Sequence, residues 1–250
     1  MVLAILGAAA WIPQIIQLFI KYFTKPKLIS INQKDIEIGY NTFGPIINFS
    51  MAFLAENEKA LIQKINLRLK HSNSESHLFQ WIWYEESLFQ MDILKATIPY
   101  KKNQVAIALN VPKDFMIEKK IGFQSNNFKL KFDEIAKLVE EDFANIKNSD
   151  GNLEDLKSNK NYNHLVDHVN NSFMWNTGKY DAEIEIFIAK RKLPFAHKIE
   201  FALNNLDIRK LKENIPLCKK KIDDVVFHDE DPKEPLWNWI YCKDLKDSIH

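Results

Sequence analysis

Arginine is nearly missing from this sequence. Only Arg68, Arg191 and Arg209 occur, while Lys, Asn, Ile and Phe are all abundant. That bias points to an AT-rich coding background, so small lysine clusters carry little meaning. Six glycines in 250 residues leave little material for phosphate-cradling loops. Two cysteines, Cys218 and Cys242, do not make a disulfide framework, and one optional bridge does not fix the compartment. The net charge is only +1, so no global field draws the chain to nucleic acid, and no nucleic-acid partner is expected. G-x-S-x-G, G-x-x-x-x-G-K-[ST], C-x-x-C and H-E-x-x-H are all missing. Nothing promotes an enzyme, and no cofactor is expected.

What remains is ordinary for a globular protein: 46% hydrophobic and 27% charged residues, enough for a sizeable core. The exception is the beginning. From Val2 to Phe23 the chain is apolar except for Gln14, Gln17 and Lys21. As a helix rising about 1.5 Å per residue, it matches a hydrocarbon core of about 30 Å. No basic residue precedes it, as a secretory signal would require. Lys21, Lys25 and Lys27 follow it, and positive flanks stay in the cytoplasm. The expectation is a single-pass cell-membrane protein. Residues 1–27 form the anchor, with the N-terminus outside, and residues 28–250 form a cytoplasmic domain. Pro13 kinks such a span, and Trp11 falls near mid-membrane. The alternatives are a helix lying on the membrane or one packed on the protein's own core.

The span carries a stripe of Gly7, Ala10, Gln14, Gln17 and Lys21, spaced by three and four residues. Small residues permit close approach and glutamines hydrogen-bond across helices in lipid, so the stripe suits self-association. Equally, Gln17 and Lys21 sit where headgroups begin.

Beyond Pro26 the period becomes two. Ile47, Phe49, Met51 and Phe53 share one face, as do Ile65, Leu67 and Leu69, and then Phe79, Trp81 and Trp83. Polar turns separate these runs, which predicts an antiparallel β-sandwich. A helical period follows over residues 133–173. Asp133 is placed as a cap, and Ile135, Leu138, Val139, Phe143 and Ile146 form the buried face. Strand alternation resumes over Lys179–Ile188, and an aromatic tail spans residues 216–250. The strand-rich pattern, with "WNTGKY" opening a late strand, resembles immunoglobulin-like sandwiches in architecture. Their Cys–Trp–Cys signature is absent, and the resemblance implies no function.

Candidate chemistry is sparse. His164 and His168 are four apart, but no third ligand follows at a metal-site spacing, so no metal is expected. Asp229, Glu230 and Asp231 lack the calcium-loop glycine. Two aromatic ladders stand out. Phe79, Trp81 and Trp83 read as core. Trp237, Trp239 and Tyr241 lie in a proline-flanked tail, where they either dock as an edge strand or meet a partner. The reading is a membrane-tethered cytoplasmic binding module whose partners are membrane lipid and either a protein or further copies of itself. Its alternatives are an effector whose self-associating helix perturbs the bilayer, and a tethered hydrolase.

Overall fold

The computed structural model describes residues 16, 25–93, 96–149, 152–227 and 233–245. The stripe residues Gly7, Ala10, Gln14 and Gln17, and nearly all of the expected anchor, lie outside the described residues. Among the described residues no helix is long and apolar enough to cross a membrane.

Among the described residues, ten strands follow in chain order. They are β1 (Lys27–Asn41), β2 (Gly44–Glu56), β3 (Ala60–His71), β4 (Ser76–Ile93), β5 (Ala96–Val105), β6 (Leu109–Val111), β7 (Ile117–Ser125), β8 (Gly178–Ile188), β9 (Phe195–Leu203) and β10 (Ile240–Lys243). All pair antiparallel in one sheet of order β10-β1-β2-β7-β4-β3-β8-β9, with β5 added to β4 and β6 to β3. The two layers expected of a sandwich are therefore halves of one sheet. The sheet curls until its outer strands meet: Leu245 N donates to the Glu200 carbonyl at 2.7 Å, and Glu200 N donates to Asp244 Oδ1 at 3.2 Å. The result is nearly a barrel.

The period-two pattern decides which side chains point inward. Ile36, Ile38 and Tyr40 of β1 lie level with Phe49, Ile47 and Pro45 of β2. Phe123, Phe79, Leu67, Ile184 and Phe201 continue the same buried layer round the sheet. On β3 the intervening Lys64, Arg68 and Lys70 are exposed.

Helices close one end. The inserted pair is α1 (Asn126–Asn148) and α2 (Lys160–Asn171), separated by a 3-10 turn at Leu153–Ser158. Later come α3 (Asn205–Lys212) and α4 (Asn214–Phe227). The insertion thus begins at Asn126 rather than Asp133. Asp133 caps nothing and instead pairs with Lys129 at 2.5 Å. Leu138, expected inside, is 39% exposed. The buried stripe of α1 is Phe128, Ile135 and Val139. The cap is fastened to the barrel by polar bonds as well as packing. Tyr40 donates its hydroxyl to the Val169 carbonyl, and Trp175 Nε1 donates to the Gly39 carbonyl at 3.0 Å. The Trp175 ring lies among Phe79 and Tyr180, so the open end of the barrel is plugged by aromatic side chains.

Candidate functional site

One groove of about 950 Å³ runs along the outer face of the sheet. Its floor crosses β1, β2 and β7, α1 walls one side, and the β5–β6 segment with the C-terminal tail completes it.

Two tryptophans define its surface. β4 alternates inward as far as Phe79 and Trp81, and then a bulge shifts its register between Trp81 and Trp83. The extra residue reverses the facing of the side chains beyond it. Trp83, expected in the core with Phe79 and Trp81, therefore lies outside. Its ring rests on Gly122 of β7: a Cβ there would meet Cε2 and Nε1 at 2.2 Å. Trp81 stays inside and donates Nε1 to the Trp83 carbonyl at 2.9 Å, which anchors the bulge.

The second tryptophan comes from the tail. Asn214, fully buried at the start of α4, clamps the tail with both ends of its amide. Its Nδ2 donates to the Asn238 carbonyl at 2.9 Å and its Oδ1 accepts from Asn238 N at 2.8 Å. β10 then pairs with β1 as an edge strand. Ile240 turns inward and its neighbours Trp239 and Tyr241 turn outward, while Trp237, upstream of the strand, is partly buried against the core. Trp239 lies on Gly39, where a Cβ would meet Cζ3 at 2.3 Å. Trp239 and Tyr241 line the groove, and Tyr241 is 69% exposed. Trp237 does not line it. Trp237 donates Nε1 to Glu234, which Lys221 also holds; burial pushes the Glu234 carboxyl up, but these bonds outweigh it and hold it below its usual value.

Between the two rings the floor is polar. Asn48 pairs with Gly122 on one side and Glu37 on the other, and its Nδ2 donates to Glu37 Oε2 at 3.2 Å. Because a carboxylate fixes that NH₂, the amide oxygen is fixed as well, and Asn48 Oδ1 is buried with no protein partner. Such a group costs free energy until something bonds to it. Asn41 and Gln124 lie beside it, and Gln80, Asn103 and Gln104 complete six carboxamides along the groove. The charges are neutralised within the protein. Glu37 pairs with Lys120 at 2.6 Å, Glu85 with Lys101 at 2.8 Å, and Asp133 with Lys129.

Among the described residues no group of three His, Cys, Asp or Glu side chains gathers at the histidine pair or elsewhere. His164 is exposed. His168 is buried, its ring stacked on Phe128 at 4.7 Å, with Nε2 at 3.1 Å from the Phe128 carbonyl and Nδ1 at 3.1 Å from Ser172 Oγ. The acidic run at Asp229, Glu230 and Asp231 lies outside the described residues. Lys219 and Lys220, part of one of the small lysine clusters, are exposed on α4.

No protein-family model matches the chain, and no curated protein does. Three solved chains match. Among them is a family 123 glycoside hydrolase from Clostridium perfringens, studied for glycolipid glycan hydrolysis. It is 9% identical with a TM-score of 0.34, over 73% of this chain and 27% of that one. At that identity and TM-score the likeness shows neither a shared activity nor a shared ligand.

Proposed function

We propose that the chain is a membrane-tethered binding module whose outer groove takes an uncharged, polyhydroxylated ligand, the class to which saccharides belong. The observation that carries this reading is the pairing of two tryptophan platforms with a carboxamide floor. Gly39 and Gly122 are on strands separated by β2, so the rings sit roughly 10 Å apart across the sheet, the span of a disaccharide. Flat rings suit the C–H faces of sugars, and carboxamides both donate to and accept from hydroxyls. A polyanion is disfavoured, because Lys120, Lys101 and Lys129 already have carboxylate partners. Those same pairs tie up Glu37, Glu85 and Asp133, which favours binding over acid–base catalysis.

The tether is residues 2–23, with Lys21, Lys25 and Lys27 holding the barrel on the cytoplasmic side. The Gly7, Ala10, Gln14 and Gln17 stripe serves self-association of that tether.

The test is a fluorescence titration of the full chain in detergent against a panel of neutral oligosaccharides. A ligand that covers Trp83 and Trp239 blue-shifts their emission. Trp83→Ala and Trp239→Ala each weaken its binding tenfold or more, and Trp237→Ala, outside the groove, does not. A panel with no binder, or a binder indifferent to both groove substitutions, overturns the reading.

A further inference from the structure

The end of the barrel opposite the helical cap is the end at which β1 begins, at Lys27. Three turns meet at that end. Asn57 lies in the β2–β3 turn, Asp114 in the β6–β7 turn and Lys190 in the β8–β9 turn, each at positive φ. The β6–β7 turn is fixed to the end of β2, since Asp114 N donates to the Ala55 carbonyl at 2.8 Å.

These tight turns hold apolar side chains out in solvent. Phe115 is 65% exposed, Met116 48% and Leu193 73%. Exposed apolar groups of this size on short, well-fixed turns at one end of a barrel are what an interaction surface requires.

The charge around them has one sign in excess. Three nearby carboxylates are matched, Glu56 by Lys27 at 2.8 Å, Asp114 by Lys113 at 3.5 Å and Glu58 by Lys190 at 3.1 Å, and one, the exposed Glu118 beside Met116, is not matched among the described residues. Lys25, Lys59 and Lys192 have no carboxylate partner among the described residues, and all three are exposed. Arg191 lies over the Phe195 ring at 3.8 Å, which leaves its charge outward as well.

We infer that this end of the barrel docks flat on an anionic lipid bilayer, with Phe115, Met116 and Leu193 inserted among the headgroups and the unpaired lysines against them. Apolar tips ringed by cations are what an anionic interface recruits. The inference rests on the proposed tether, which places the bilayer within a few residues of Lys27. It adds that the barrel sits against the membrane in one orientation rather than hanging loose.

The experiment places a single environment-sensitive fluorophore on the full chain, in a Cys242→Ser background, at Phe115→Cys, Leu193→Cys or Leu206→Cys. Leu206 is 48% exposed at the helical end and serves as the control. Each protein is reconstituted in vesicles containing phosphatidylserine and a spin-labelled quencher lipid. Docking is supported if probes at 115 and 193 emit as in an apolar medium and are quenched, the probe at 206 stays in water, and Lys59→Glu with Lys192→Glu weakens the quenching. A chain that resists salt and carbonate extraction while all three probes remain in water overturns docking and leaves the tether standing. A chain extracted by carbonate yet quenched at 115 and 193 supports docking and overturns the tether. A chain that does not associate at all overturns both.

Discussion

Gly122→Ala tests how the groove is built. In the wild type, a Cβ at position 122 would lie 2.2 Å from the Trp83 ring, whereas ordinary contact begins at 3.4 Å. The indole must retreat by at least 1.2 Å, the difference between those distances. It is half-buried and can lift toward solvent, so the overpacking cost falls at the lower end of the usual range, about 1–2 kcal/mol. With Trp83→Ala present, nothing opposes the new methyl. Gly122→Ala then gains about 0.5–1 kcal/mol, because glycine inside a strand is less favourable than alanine. The difference is a coupling of about 1.5–3 kcal/mol, read from urea or guanidinium midpoints over the four members of a double-mutant cycle. Emission from the single mutant should also shift to the red as Trp83 lifts. Costs that add within about 0.5 kcal/mol would refute the reasoning, since distant independent sites add that closely.

Two further outcomes concern buried positions. Burial pushes the His168 imidazole below its ordinary value; the Phe128 carbonyl opposes this, while Lys131 and His164 reinforce it. The unfolded chain therefore takes up the proton first, and stability present above about pH 6.5 is lost as the pH falls through that value toward the folded one. Melting temperatures from pH 7 to 5 should fall in the wild type and fall less in His168→Gln. On α1, Val139→Asp places a charge in the core and should cost several kcal/mol, while Leu138→Asp, on the exposed side, should change the denaturation midpoint little.

The fold was legible wherever one face of a strand is wet. On β3 and β8, exposed or half-exposed residues separate buried ones, and the period-two reading places Leu67, Leu69, Ile184 and Ile186 correctly inside. Local alternation carries no record of how a sheet closes, so a single curled sheet and two stacked ones look alike in sequence. The helical insertion was visible from its period but not its start. No side chain caps α1, since Ser125 makes no such bond, and Asp133 in the second turn imitates a cap. Leu138 shows the same limit: neighbouring apolar positions all fit a wide helical stripe, and only the packed partner decides which of them is inside.

The groove was half legible, and the missing half is instructive. The tail aromatics were visible as a ladder, and Trp239 and Tyr241 do line the site. Trp83 was hidden by a bulge that alternation does not reveal. Its signal lay elsewhere: Gly39 in "EIGY" and Gly122 in "KIGF" interrupt strand patterns, and a glycine inside a strand marks a close approach. Both glycines have a tryptophan on them.

The position of Gly39 along β1 sets how far the Trp239 platform lies from the end proposed to dock. Lys27 opens the strand at the turn-lined end, and Gly39 lies twelve residues on. At about 3.3 Å per residue along strands tilted some 40° in a barrel, that places the Trp239 platform roughly 30 Å from that end. The groove itself reaches back toward it, because Glu37, Glu85 and Lys120 line both the groove and a neighbouring pocket that Phe115 and Met116 also line. The proposed ligand site and the proposed docking end are therefore neighbours, and a ligand in the groove is expected to change how the probe at position 115 reports on the bilayer.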